Sequence, residues 1–229
     1  MKVLIVAAHP DDEVLGAGGT AVTLAAQGAD VHVLILAEGV SLRHEGVNLR
    51  QARQRCEQAA AVLGAATVSF GGFAKEGRLL GDIEQRVVVD AIARAVRKVE
   101  PELVLAHHPG DIHVDHRIAA QSTAYVTRFM GQGPVRQVLH FEVPSSSDQQ
   151  SGLVAPFVPN VFYDISTQVD AKCRALAAYP YEVHPAPHPR SEHAVRALAM
   201  FRGAQLGIEG AEAFCLGREL RDARKEGAS

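Results

Sequence analysis

A chain of 229 residues, 47% of them apolar and 21% charged, can bury a sizeable core within one α/β domain. Lys+Arg 23 against Asp+Glu 26 gives a formal net charge of −3, which leaves no basic face for phosphate backbones and sets nucleic acid aside as a partner. Cys56, Cys173 and Cys215 lie far apart without a CxxC pair, so they read as reduced thiols of a cytoplasmic protein, not as a disulfide framework or a thiolate metal site.

The opening MKVLIVAAHPDDE carries an apolar run that acidic residues end too early for a signal peptide or a membrane span. It reads as a buried strand, Val3–Ala8, and no membrane association is expected. Helix Glu13–Gln27, strand Val31–Ala37, helix Leu49–Leu63 and strand Thr67–Phe70 follow. Next come helix Asp82–Val99, with Ile83, Val87, Ala91 and Ala95 at helical spacing, strand Leu103–Ala106, helix Asp115–Met130, and strands Val138–Val143 and Val161–Ile165. Strand alternating with helix predicts α/β architecture: a largely parallel sheet with helices on both faces, one domain over residues 1–229. Sites in such sheets form beyond the carboxyl ends of the strands. The polar stretch PSSSDQQSG, Pro144 to Gly152, reads as a mobile surface loop that could border a site.

Directly after the first strand, AHPDDE places His9, Asp11, Asp12 and Glu13 on the turn into the first helix. Helix capping by Asp11 or Asp12 would account for the acids, but not for His9 or Pro10. After the fourth strand, ELVLAHHPGDIHVDHR gathers His107, His108, Asp111, His113, Asp115 and His116. Two such clusters at the mouth of one sheet, adjacent if their strands flank a switch point, point to a metal site. Imidazoles and carboxylates without thiolates fit a catalytic divalent ion with positions open for water and substrate. Metal coordination brings a water pKa down towards ~7, and a carboxylate that is not a ligand can then take its proton. If a helix begins here, His113 and His116 share a face, and Asp115 between them can hydrogen-bond an imidazole.

AHPDDE followed by a later HxDH resembles the PIG-L/LmbE-like zinc-dependent N-deacetylases, and RGAQLGIEGAEAF is similar to that family's closing segment. The resemblance implies a Rossmann-like fold, Zn²⁺ as cofactor with Fe²⁺ as the alternative, and a small N-acyl, amino-sugar-like substrate. It implies His9, Asp12 and His116 as ligands and Asp11 as general base. It also implies that a protonated His113 stabilises the oxyanion or serves as acid, with Asp115 orienting or tuning it. The family's substrate arginine has no fixed register here, where Arg50, Arg53 and Glu57 are on offer, and Tyr179, Tyr181, His184 and His188 receive no role. Three rival readings use the same residues. They are a two-His-one-carboxylate Fe(II) oxygenase, a phosphoesterase with Asp111 and Asp115 on a second metal, and a sugar-binding relative without turnover.

Elsewhere, His32 and His140 read as satisfied strand residues, and His44 and His193 as exposed. His107 and His108 could contact the site or hydrogen-bond a loop carbonyl. Arg202 and Glu212 read as structural, and Gly16, Gly18 and Gly19 as close packing. A homo-oligomer is compatible with an α/β enzyme bearing a Pro-rich C-terminal arm, although no stripe in the sequence marks an interface.

Overall fold

The apolar run after Met1 forms strand β1 (Lys2–Ala7), whose side chains alternate between two buried layers. Val3, Ile5 and Ala7 pack with α1 (Asp12–Ala26), α2 (Leu49–Leu63), α5 (Val169–Leu176) and Val195 of α6 (Glu192–Ala204). Leu4, Val6 and Ala8 pack with α3 (Gln85–Val99) and α4 (Val114–Val126) on the other face. An unbroken apolar run from Val3 to Ala8 is what a sheet covered on both faces requires. The computed structural model describes residues 1–39, 44–73, 79–128, 133–149, 152 and 154–221.

β1 lies between β2 (Asp30–Ile35) and β4 (Leu103–His107), parallel to both. The chain runs outward from β1 to β2 and β3 (Thr67–Phe70), then returns to build β4 and β5 (Gln137–Phe141) on the opposite side. β7 (Ala211–Glu219) pairs antiparallel with β5 and with β6 (Val161–Asp164), giving the order β3-β2-β1-β4-β5-β7-β6. The direction of winding reverses between β1 and β4, so the loops leaving these two strands open a crevice at their carboxyl ends. The two chemistry-bearing segments are those loops.

Local sequence accounts for the element ends. Asn48 and Gln51 form a reciprocal capping box at the start of α2, and Gly64, at φ 71°, closes it in the left-handed conformation. In α1 the glycines permit close approach. A Cβ at Gly16 would overlap the buried Phe141 ring, and one at Gly19 would lie 2.7 Å from Ile165 Cδ1. Gly16→Ala is therefore expected to destabilise. Overpacking costs about 1–3 kcal/mol against roughly 1 kcal/mol gained in helix propensity. A raised denaturation midpoint would contradict this close packing.

Glu212 on β7 accepts the N–H groups of Gly19 and Thr20 in mid-α1, at 2.8 and 2.7 Å, while Lys172 Nζ reaches both Glu212 and the Leu15 carbonyl. Arg202 pairs with Glu142 at 2.8 Å. Both residues are thus structural, each with a partner other than the other.

The six expected strands and four expected helices are present with ends shifted by a few residues; α5, α6 and β7 are additions. α4 ends at Val126, and residues 129 and 130 of the expected helix lie outside the described residues. Among the described residues, no helix is long and apolar enough to cross a membrane. All three cysteines are free.

Candidate metal centre

The turn from β1 into α1 brings His9, Asp11 and Asp12 to the crevice. Asp11 occupies the N-cap position at φ 98°, yet its side chain makes no cap hydrogen bond. It turns instead to Arg190, whose Nη1 donates to Asp11 Oδ2 at 2.8 Å. Left-handed backbone costs a non-glycine residue roughly 1–3 kcal/mol, a cost typical of functional turns. Simple helix capping is therefore not what this carboxylate does.

Asp12 is the hub. Its Oδ2 accepts the His9 N–H at 2.8 Å and lies 3.4 Å from His9 Nδ1 and 3.3 Å from His116 Nε2. The far nitrogen of each ring meets another carboxylate: His9 Nε2 lies 2.8 Å from Asp115 Oδ2, and His116 Nδ1 lies 3.1 Å from Asp111 Oδ2. A carboxylate behind each imidazole fixes its tautomer and turns the other nitrogen inward, as metal-ligating histidines require. Asp12 Oδ1 is buried without a hydrogen-bond partner among the described residues. A carboxylate whose Oδ2 faces two imidazoles and whose buried Oδ1 is orphaned fits a cation, because otherwise the desolvation of that oxygen goes uncompensated.

His9, His113 and His116 can bring nitrogen atoms within 4.8 Å of one another, as Asp12, His107 and His116 can their ligand atoms. His107 Nε2 already accepts the Ala8 N–H at 2.9 Å, so that nitrogen's lone pair is committed. His113 caps α4, its Nδ1 accepting the Asp115 N–H at 3.2 Å. In the neutral ring this places the proton on Nε2.

The electrostatics follow from burial and these pairs. Burial alone would push the His116 imidazole down, but Asp12 and Asp111 raise it to about 10. Burial would raise Asp12, but His116 and His107 hold it well below the ordinary carboxylate range. Asp11 is lifted well above that range by burial, despite Arg190. Burial, with His9 and His116 nearby, lowers His113 to about 4, so the ring is neutral at pH 7. This lowering favours a neutral Nε2–H donor over the imidazolium expected from the sequence.

The six residues expected from sequence, His9, Asp11, Asp12, His113, Asp115 and His116, therefore gather in one crevice. Asp115 differs in detail: its carboxylate serves His9 and takes the Gly81 N–H, and only its backbone N–H addresses His113. His107 belongs to the site wall, while His108 hydrogen-bonds the Ala155 carbonyl at 3.0 Å.

The polar loop after β5 is also revised, because Ser146 and Ser147 are buried. Their hydroxyls donate to Asp111, the Ser147 contact at 2.6 Å, and Asp111 takes the His113 N–H as well. Residues 150 and 151 of that loop lie outside the described residues. His44, expected exposed, is half-buried against Glu182 and the Tyr181 ring, and Tyr179 donates to Glu13 at 2.5 Å. Arg53 pairs with buried Glu38. Arg190 went unassigned in the sequence; the one local signal is Ser191, a helix cap that sets Arg190 just ahead of α6.

Fold and crevice together define an α/β protein with a candidate imidazole–carboxylate metal centre at a sheet switch point. The PIG-L family model, described as GlcNAc-PI de-N-acetylase, matches residues 4–126, and the chain belongs to that family. It is 29% identical to a diacetylchitobiose deacetylase of Thermococcus kodakarensis, over 92% of this chain and 81% of that protein. It is 30% identical to a 1D-myo-inositol 2-acetamido-2-deoxy-alpha-D-glucopyranoside deacetylase of Rhodococcus opacus, over 81% and 83%. A 4-oxalmesaconate hydratase of Pseudomonas putida is 27% identical over 80% and 74%. Among solved structures, the conserved protein TT1542 of Thermus thermophilus superposes with a TM-score of 0.74 at 26% identity, covering 96% of each chain.

Proposed function

We propose that this chain is a metal-dependent N-deacetylase that hydrolyses the N-acetyl amide of a small amino-sugar-like substrate. In this reading His9, Asp12 and His116 hold the metal, Asp11 is the general base and His113 donates to the oxyanion. The observation that carries it is the convergence of two carboxylate-backed imidazoles on Asp12, whose second oxygen is buried and unpartnered. Two imidazoles and a carboxylate without thiolate suit Zn²⁺ and also accommodate Fe²⁺. A divalent ion held there would supply Lewis acidity, activating water and polarising the acyl carbonyl.

The remaining chemistry belongs to the side chains. Asp11 takes a proton from water as the water oxygen adds to the acyl carbon. His113 Nε2–H donates to the carbonyl oxygen as charge develops on it, its tautomer held by the Asp115 N–H. When the C–N bond breaks, Asp11 returns the proton to the departing nitrogen, so one amide and one water become one acetate and one free amine. Asp115 keeps its role behind His9, and Asp111 behind His116.

Asp111→Asn is expected to weaken metal affinity about 10–100-fold, read by competition with a chromophoric chelator. Unchanged affinity would remove Asp111 from the metal's support. The hydrogen bonds that Asp111 and Asp115 accept within the site support their role behind the imidazoles over that of ligands to a second metal.

The named deacetylase relatives support an N-acetyl amino-sugar substrate, and the free thiols support a cytoplasmic location. The hydratase relative favours one alternative, addition of water to a carbon–carbon double bond by the same acid and base. Incubation with N,N'-diacetylchitobiose and related N-acetyl amino sugars separates them. Acetate and primary amine in equal amounts support deacetylation. No amine from any of these, together with hydration of 4-oxalmesaconate, would replace it.

A further inference from the structure

Asp11 is held by a device that neither motif contains. Its Oδ2 accepts from Arg190 Nη1 at 2.8 Å, while its Oδ1 takes no hydrogen bond from any described residue. Arg190 is in turn fixed from several directions. Its Nε donates to Ser145 Oγ at 2.9 Å, the same Nη1 reaches Glu182 Oε2 at 3.1 Å, and its backbone N–H donates to His188 Nδ1. Ser145 itself sits at φ 70°. Glu182 is anchored further by His44 at 3.0 Å, and Tyr181 beside it lies between the His44 ring and the Arg55 guanidinium. Segments far apart in sequence thus converge to hold one guanidinium against one carboxylate oxygen.

We propose that Arg190 is a positioning residue for Asp11, fixing the carboxylate so that one oxygen is anchored and the other is left for proton transfer. This rests on the reading of Asp11 as general base. A planar guanidinium with two differently directed N–H contacts sets direction as well as charge, which a lysine ammonium does not. Holding a reacting group in place is worth much of the barrier, and a displacement of about 1 Å can cost on the order of 10²-fold in rate.

The test is a double-mutant cycle of Arg190→Ala and Asp11→Asn, with metal content and melting temperature measured for each protein. Arg190→Ala is expected to lower kcat by about 10²-fold, with KM and metal content held. Added guanidinium ion should restore part of the loss, and Arg190→Lys should recover less than the arginine gives. In the Asp11→Asn background, Arg190→Ala should cost little more, because the carboxylate it positions is gone. Losses that multiply in the double variant, a raised KM with kcat kept, or loss of metal would each overturn the proposal. If Arg190→Ala fails to fold, Ser145→Ala removes only the Nε anchor and should lower kcat in the same non-multiplying way; a multiplying loss, or unchanged kcat, would again overturn it. If Asp11→Asn alone leaves kcat intact, the base assignment has failed, independently of Arg190.

Discussion

Asp11→Asn is expected to lower kcat by about two to four orders of magnitude while metal content stays near that of the parent. The substitution is nearly isosteric, so the left-handed turn at φ 98° and the contact with Arg190 can persist through the amide oxygen. What disappears is the proton acceptor. Asp11 is not one of the groups meeting at Asp12 Oδ2, so the metal-holding residues are untouched. Metal content by mass spectrometry alongside steady-state kinetics separates the two effects. Full turnover in Asp11→Asn would remove the base, and loss of metal would make Asp11 a ligand.

His116→Ala should be still more severe, abolishing both metal binding and measurable turnover. Its Nε2 lies 3.3 Å from Asp12 Oδ2 and is one of the three proposed ligand atoms, and a three-ligand site that loses one retains little affinity. The metal-free protein should suffer as well. His116 separates two buried carboxylates, Asp12 and Asp111, which together raise its imidazole to about 10. Removing the cation between them leaves buried charge uncompensated, a change that costs on the order of 3–5 kcal/mol. Denaturant unfolding of chelator-treated parent and variant measures that cost directly. A variant that still binds metal with the parent's affinity would move the ligand role elsewhere, with His113 the nearest substitute.

Most of the sheet was legible from the sequence because parallel strands buried on both faces leave continuous apolar runs, as VLIVAA and LVLA do. β7 was not, because only its first residues are buried and its second half is exposed and charged. The gathering of the candidate site was legible because two dense His/Asp clusters stand at the ends of β1 and β4, which the switch point makes neighbours. Their hydrogen-bond partners were less so. Asp115 serves His9 across 106 positions, and Ser146 and Ser147 reach Asp111 from a loop whose polarity suggested solvent. Arg190 lies 179 positions from Asp11 in a segment of mixed Tyr, His and Pro, where no period or spacing marks a contact. Side-chain direction across such separations is set by tertiary packing, which local pattern does not encode.

The central claim is that one divalent ion at His9, Asp12 and His116 enables amide hydrolysis. Its most direct test is metal analysis of the purified protein coupled to amine release from N-acetyl amino sugars before chelation, after chelation and after reloading with Zn²⁺. About one ion per chain, with amine release lost on chelation and regained on reloading, is the predicted result. Amine release that survives complete removal of metal, or a protein that binds no divalent ion, would contradict it.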